Sequence, residues 1–190
     1  MIGYDGKRSN ITYLLLALEG FIAGFYVVIT RSLAPIFFTI LGLDVKDIIK
    51  LNIIGYLTAI LLVIILYYKR DYMSHNVKNK LILIHAWERV AWGLIPIVAM
   101  LSIELLYVDY ALAIALTIPT SIGLNTILYG VFNEQSTKKL IVRRSSLGAL
   151  SRVIGQATIV IMLGTMSSQL KYVYLYVIAA TIGLLATVTI

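Results

Sequence analysis

The sequence of 190 residues contains no cysteine, only two histidines and few charged residues. Without cysteine, the chain has no disulfide bond, no thiolate metal ligand and no thiol nucleophile. His75 is predicted in a loop, and His85 alone cannot supply a multi-histidine metal site or a bis-histidine haem. We therefore expect no metal and no cofactor. The sequence also lacks a Walker lysine, a zinc-protease helix and a nucleophile elbow, so we do not expect an enzyme.

Charged residues make up 13% of the chain and hydrophobic residues 60%, and the mean hydropathy is +0.92. This composition indicates an integral membrane protein rather than a water-soluble domain. A bilayer core of roughly 30 Å requires about 20 helical residues. Segments of that length lie at about 11–34, 48–68, 81–106, 110–132, 145–168 and 171–190. We predict an all-α polytopic membrane protein with one six-helix bundle over residues 1–190.

Lysine and arginine are distributed unequally between the two predicted faces of the membrane. Ten lie in the N-terminal tail and in the connections 68–80 and 133–144, whereas four, Arg31 among them, lie on the opposite face beside four acidic residues. The positive-inside rule then places both termini in the cytoplasm of a multi-pass cell-membrane protein. The net charge of +7 reflects this topology, so nucleic acid is not an expected partner. The first apolar segment is too long for a cleaved signal peptide and is expected to be retained.

The chain has three prolines, two of them inside predicted spans, and short outer connections between spans. The outer connections are predicted at Gly42–Asp47 and Tyr107–Asp109, and the two basic cytoplasmic loops are about a dozen residues long. Pro35 is expected to bend or end the first span near the outer interface. Pro96 and Pro119 fall near the middle of spans three and four, where they serve either packing or hinge motion.

Small residues recur at the spacing that brings membrane helices close together. The pattern occurs as Gly20-x-x-x-Gly24 and Ser151-x-x-x-Gly155, with Gly148 one turn before the second. Such faces let helix backbones approach closely. Packing within the bundle and homodimerisation are both compatible with the pattern.

Four charged side chains fall inside the predicted spans: Glu19, Glu88, Arg89 and Arg152. Each lies about eight positions, roughly 12 Å, from the predicted cytoplasmic start of its span, so the four are expected to share one neutral layer. Adjacent helical residues project about 100° apart, so Glu88 and Arg89 are expected to pair with other helices and not with each other. The predicted pairs are Arg89–Glu19 and Glu88–Arg152.

Further polar residues lie near this charge layer. His85 and Gln156, each one helical turn from a charged residue, extend it. Asn125, with Ser121 and Thr126 beside it, either lines a cavity or forms hydrogen bonds between helices. The layer is interpreted either as a site that binds a proton or ionic substrate and exchanges partners, or as a static latch that fixes the bundle.

Residues 11–68 carry a resemblance to a known family. After a long first helix come Pro35, Phe37 and Phe38, then "LGLD" at 41–44, and the second helix follows directly. This arrangement, with basic loops after spans two and four, resembles the N-terminal six-helix half of major facilitator superfamily transporters. The chain departs from the family in lacking the glycine-containing signature pattern near residues 64–78.

The resemblance implies a secondary transporter, or half of one, that moves a small solute of unknown identity by alternating access. A proton is the default coupling ion, because Glu19 and Glu88 are titratable. Family transporters contain two six-helix halves, so the resemblance implies a second half in the bilayer: another copy in a homodimer, or a C-terminal half if this chain is a fragment. The alternative is a non-transporting structural or accessory subunit that docks against other membrane subunits.

Overall fold

The computed structural model describes residues 6–69, 71–72, 75–165, 168 and 170–190, with side chains from residue 10 onward. Arg70, one of the basic residues counted above, lies outside these residues, as do positions 166 and 167 of the fifth predicted span. The described part of the chain contains six long helices: α1 (Gly6–Ile40), α2 (Val45–Tyr68), α3 (Val77–Leu101), α4 (Ile103–Val131), α5 (Glu134–Thr165) and α6 (Leu170–Val188). All six are long and apolar enough to cross a membrane, and the chain is an all-α, multi-pass membrane protein.

Helix α1 does not end at Pro35 but continues to Ile40. Proline removes one backbone donor, and aromatic packing holds the helix beyond it. The ring of Phe37 lies 5.0 Å from that of Tyr172 on α6, and the ring of Phe38 lies 5.5 Å from that of Tyr110 on α4. The longer helix keeps Arg31 within the span and not at the outer surface, where the sequence had placed it.

The turn between α1 and α2 follows from two residues of "LGLD". Gly42 has a φ of +88°, which is a left-handed conformation that glycine adopts without the steric cost of a side chain. Asp44 caps α2, because its side chain accepts a hydrogen bond of 2.8 Å from the backbone N–H of Asp47. The chain therefore reverses over a few residues, as predicted.

The turn between α3 and α4 lies at Ser102, so the prediction at Tyr107–Asp109 was wrong. Ser102 is extended, with φ −162° and ψ 140°, and its hydroxyl accepts hydrogen bonds from the backbone N–H groups of Glu104 and Leu105. A serine cap of this kind can start a helix after a single extended residue. Asp109 consequently lies within α4.

Helix α5 begins at Glu134, so most of the predicted basic loop 133–144 is helical. Asn133 precedes it and accepts a hydrogen bond of 2.8 Å from the backbone N–H of Ser136. Glu134 and Lys138 then form an exposed ion pair one turn apart. The charged first turns of α5 come before its apolar stretch. Because α5 starts eleven residues before the predicted span, the basic residues up to Arg144 lie within the helix.

The helices pack in an open arc in the order α5, α1, α6, α3, α4 and α2. In the described part of the chain, the end helices α2 and α5 do not touch each other. They are also among the least covered helices, with 17% of the most apolar window of each buried. We call the face where α1 begins and α6 ends the terminal face, and the face with the turns at 41–44 and Ser102 the distal face. A large apolar cluster around Phe37 and Trp92 occupies the distal half, and a smaller one around Leu16 and Leu140 lies toward the terminal face.

The glycine pattern joins α1 to α5. A Cβ atom at Gly24 would lie 2.8 Å from the Cα atom of Gly148, and one at Gly148 would lie 3.1 Å from the carbonyl oxygen of Gly20. Gly155 faces Val28 and Phe25 on α1 in the same way. Intramolecular packing, one of the two interpretations of this pattern, is therefore confirmed.

Candidate functional site

A continuous ionic network runs through the bundle interior between helices α1, α3 and α5. Following its contacts from the terminal face to the distal half, its members are Arg144, Glu19, His85, Arg89, Glu88 and Arg31. Glu19 and Arg31 are twelve residues apart on α1, so the network extends along roughly 18 Å of that helix. It is a column and not the single layer that the sequence predicted.

Glu19 is the carboxylate nearest the terminal face, and its side chain is buried. Its Oε2 atom accepts a hydrogen bond from Arg144 of α5, while His85 Nε2 of α3 lies 3.5 Å from Oε1. The neighbouring Gly20 makes room for the arginine, because a Cβ atom there would lie 3.0 Å from Arg144 Cβ. This contact ties α1 to α5 where their glycine faces meet.

His85 and Arg89 lie one turn apart on α3, with His85 Nε2 2.8 Å from Arg89 Nη2. Arginine has only donors, so a hydrogen bond between these two atoms requires Nε2 as its acceptor. The hydrogen bond from Arg144 is the charge-assisted one on Glu19.

Glu88 is the second carboxylate and is contacted from two sides. Its Oε1 atom accepts a hydrogen bond of 3.2 Å from Arg31 Nη2 of α1, and its Oε2 atom lies 3.1 Å from Arg89 Nη1. Thr117 of α4 also donates to Oε1, at 3.4 Å. Adjacent helical residues are poorly aligned, and accordingly Glu88 Oε2 and Arg89 are at ion-pair distance without a hydrogen bond. The sequence predicted that Glu88 and Arg89 do not pair with each other; this was wrong, because they form an ion pair.

Aromatic rings complete the surroundings of both interior arginines. The guanidinium carbon of Arg89 lies 3.9 Å from the centre of the Tyr26 ring, and that of Arg31 lies 5.4 Å from the Trp92 ring. The negative face of an aromatic ring attracts a cation, and this attraction is larger away from water. Tyr26 and Trp92 thus help α1 and α3 to hold guanidinium groups inside the span.

A cavity of about 280 Å³ adjoins the distal end of the network. Its lining residues come from α1, α2, α3 and α4, and Arg31, Asn52, Trp92, Tyr110 and Thr117 are among them. Of the described residues that line it, Arg31 alone carries a charge. The side chain of Arg31 is 37% exposed, whereas Glu88 is almost fully buried, so the network meets the cavity at Arg31.

Two predicted ion pairs are absent from the described residues. Arg89 has no direct ion pair with Glu19, because His85 lies between them. Arg152 is exposed and contacts no carboxylate there; its Nε atom donates to the carbonyl oxygen of Gly148 at 3.3 Å. Because α5 begins at Glu134 and not near residue 145, Arg144 takes the place beside Glu19 and Arg152 lies eight residues, roughly 12 Å, farther along.

Asn125 and Gln156 do not line the cavity beside Arg31. Both are exposed on the bundle, on α4 and α5, and neither has a hydrogen-bond partner among the described residues. The predicted cavity role of Asn125 therefore finds no support within these six helices.

Arg31 and Arg144 are the network members that the sequence did not reveal. Arg144 had been placed in the loop before span five and Arg31 at the outer face near the end of span one, because positive residues next to apolar segments indicate interfaces. The available signals were weak: Asn133 as a helix cap before the basic run, and phenylalanines that anchor α1 beyond Pro35. Both arginines would have been placed in the bundle interior only if the full lengths of α1 and α5 had been predicted.

No protein-family model, curated protein or solved structure gives a significant match to this chain. The role of the bundle must therefore be argued from its own side chains. The ionic network and the cavity that it meets at Arg31 are the two features that bear on it.

Replacing Arg144 by alanine is expected to lower the free energy of unfolding by about 3 kcal/mol, because Glu19 would remain buried without its arginine partner. Arg152→Ala on the same helix is the matched control and should change the free energy by less than about 0.5 kcal/mol. Unfolding of the purified variants in one mixed-micelle system measures both. Equal effects of the two substitutions would contradict the assignment of Arg144 as the partner of Glu19.

Proposed function

We infer that this chain is a secondary membrane transporter, or the N-terminal half of one, that moves a small solute by alternating access. The observation that carries this proposal is the cavity between α1, α2, α3 and α4, whose wall includes Arg31 of the ionic network. Ionisable groups inside a membrane domain are rare and commonly mark substrate or ion pathways. The resemblance of residues 11–68 to major facilitator superfamily transporters is compatible with the same role.

The network offers a means of linking solute binding to helix movement. Glu88 contacts both Arg31 on α1 and Arg89 on its own helix. A movement of α1 relative to α3 can break the contact with Arg31 while the carboxylate keeps that with Arg89. A solute that contacts Arg31 differently in the two arrangements would then shift their populations, as alternating access requires.

A second six-helix unit is the proposed partner. Arg152, Gln156 and Asn125 are exposed on membrane-spanning helices, where polar side chains usually face protein or water. The arc is also open between α2 and α5. Another copy of this chain, or a following half, would cover these polar groups.

The absence of cysteine allows a direct test of alternating access without knowledge of the solute. Ala59 lines the cavity near the middle of α2, so a single Ala59→Cys variant in oriented vesicles is expected to react with a membrane-impermeant maleimide added to either face. Leu57→Cys is the control, because Leu57 is exposed on the same helix and does not line the cavity. It should react at least about tenfold more slowly, because a thiol surrounded by lipid rarely ionises.

Labelling of Ala59→Cys from one face only would contradict alternating access and favour a static subunit. Alternating access predicts reciprocal labelling, in which a condition that increases the rate from one face decreases it from the other; rates that rise and fall together at both faces would indicate an open pore instead. If labelling is reciprocal, a pH gradient across the vesicles tests proton coupling by shifting the balance between the two faces.

The proposed orientation places the terminal face in the cytoplasm of the cell membrane. Lys46→Cys, next to the distal turn, is then expected to be labelled by the impermeant maleimide in intact cells. Lys138→Cys, in the first turns of α5, should be labelled only after permeabilisation. The reverse pattern would place both termini outside.

A further inference from the structure

The hydrogen-bonding groups around the cavity have unused donors. Arg31 donates through Nη2 to Glu88 at 3.2 Å and to Thr117 at 3.3 Å. Its Nε atom is buried and has no acceptor among the described residues, and the same holds for the indole Nε1 of Trp92. Both residues line the cavity, but these two atoms have almost no accessible surface, so a ligand in the cavity contacts Arg31 through its exposed part.

The neighbouring polar groups of the cavity wall are already paired with one another. The hydroxyl of Tyr110 donates to Asn52 Oδ1 at 3.0 Å, and Asn52 Nδ2 donates to the carbonyl oxygen of Ile48 at 2.8 Å. Thr117 accepts from Arg31 and donates to Ala113 or Glu88. The group that the wall offers to a polar ligand is therefore mainly the exposed part of Arg31.

The ionic network carries a net positive charge, which also favours an anionic ligand. Three guanidinium groups against two carboxylates leave the network with a net positive charge. Arg31 is the most exposed member of the network, and its exposed part adjoins the cavity. An uncompensated charge within a membrane span is unfavourable. A negative charge in the cavity would offset it.

The remaining wall is apolar and aromatic. Pro35, Ile114 and Ile118 line the cavity together with the rings of Tyr56 and Tyr110. Its volume of about 280 Å³ is near the lower limit for sites that bind small molecules. A ligand that fills it is small, with an apolar body and one polar end.

We propose that this cavity binds a small organic monoanion of the carboxylate class, with its anionic group on Arg31 and its apolar body against the tyrosines and isoleucines. A carboxylate suits the guanidinium because its two oxygens match the planar donors. The proposal rests on the proposed transporter function and names the substrate class for it. The same acceptors could come from a dissolved acid or from a lipid headgroup, and we assign the site to the dissolved acid because a cavity of about 280 Å³ is too small for a lipid with its acyl chains.

The chain provides its own reporter, because it has two tryptophans and only Trp92 lines the cavity. Trp87 is 57% exposed, so a Trp87→Phe variant keeps Trp92 as the sole tryptophan without disturbing the interior. This full-length variant is placed in nanodiscs of zwitterionic phosphatidylcholine. Trp92 emission is then followed during titration with benzoate, benzamide or benzylamine, which share one ring and differ in charge.

Benzoate is expected to change the emission saturably, with benzamide and benzylamine binding at least about tenfold more weakly. Adding Arg31→Gln should weaken benzoate binding by about tenfold or more, while Arg152→Gln should leave it unchanged. Equal responses to the three probes, or unchanged benzoate binding in Arg31→Gln, would overturn the proposal. If Arg31→Gln does not fold, the comparison of the three probes decides alone.

Nanodiscs that contain anionic phosphatidylglycerol separate the two sources of the acceptor. An emission change caused by phosphatidylglycerol, with no response to benzoate, would overturn the proposal in favour of a headgroup site. Benzoate binding without reciprocal labelling of Ala59→Cys would contradict the transporter function while leaving the anion site supported. Reciprocal labelling without benzoate binding would contradict only the substrate class.

Discussion

Replacement of Glu88 by glutamine is expected to lower the free energy of unfolding by about 3 to 5 kcal/mol. Glu88 is the carboxylate that contacts both Arg31 and Arg89, at 3.2 Å and 3.1 Å. Glutamine has nearly the same shape and creates no cavity, but it leaves two guanidinium groups inside the bundle without that carboxylate. Unfolding of the purified variant by increasing fractions of sodium dodecyl sulfate in mixed micelles measures the loss.

The control is Glu134→Gln, which removes an exposed carboxylate from an ion pair with Lys138. Exposed pairs of this kind contribute at most about 1 kcal/mol, so the change should be small. The double variant Glu88→Gln with Arg31→Gln should lose less than the sum of the single losses, because it removes the uncompensated charge together with its partner. Additive losses would show that Arg31 and Glu88 do not act as a pair.

Replacing Gly24 by leucine is the second change with a large expected effect. Even its Cβ atom would lie 2.8 Å from Gly148 Cα, and backbone atoms cannot move aside as a flexible side chain can. The substitution must separate α1 from α5, which also pulls Arg144 away from Glu19. We expect a loss of at least about 3 kcal/mol, at or beyond the upper end for overpacked sites. The yield of monodisperse protein and its unfolding in mixed micelles measure it.

Gly164→Leu is the matched control, because Gly164 lies on α5 and no atom lies within 4 Å of a Cβ placed there. Removing a glycine from a helix favours the helix by up to about 1 kcal/mol, so this variant should be at least as stable as the original chain. A Gly24→Leu variant as stable as Gly164→Leu would show that α1 and α5 do not meet through their glycines.

The Glu88→Gln variant also tests whether the network is a latch or a switch. A latch needs Glu88 only for stability, so the stability loss of Glu88→Gln would come without a change in the labelling of Ala59→Cys. In a switch, the same substitution also alters the balance of labelling between the two faces. The variants therefore separate the two interpretations with measurements that do not require the solute.

The number and approximate position of the spans could be predicted from the sequence. Hydropathy is an average over some twenty residues, and each of the six segments is apolar enough to give a clear signal. The interior positions of Glu19, Glu88 and Arg89 followed for the same reason. The transporter function that the resemblance implies remains a proposal.

The sequence by itself determined that this chain is a six-helix membrane protein and that Glu19, Glu88 and Arg89 lie within its spans. Only the tertiary structure decided their partners, Arg144, His85 and Arg31. The physical reason is that helix ends are set by single capping residues, which an average over a window does not detect. The predicted start of α5 was eleven residues too late, and Arg144 and Arg152 are eight residues, or roughly 12 Å, apart, so this error was enough to exchange Arg144 for Arg152 beside Glu19.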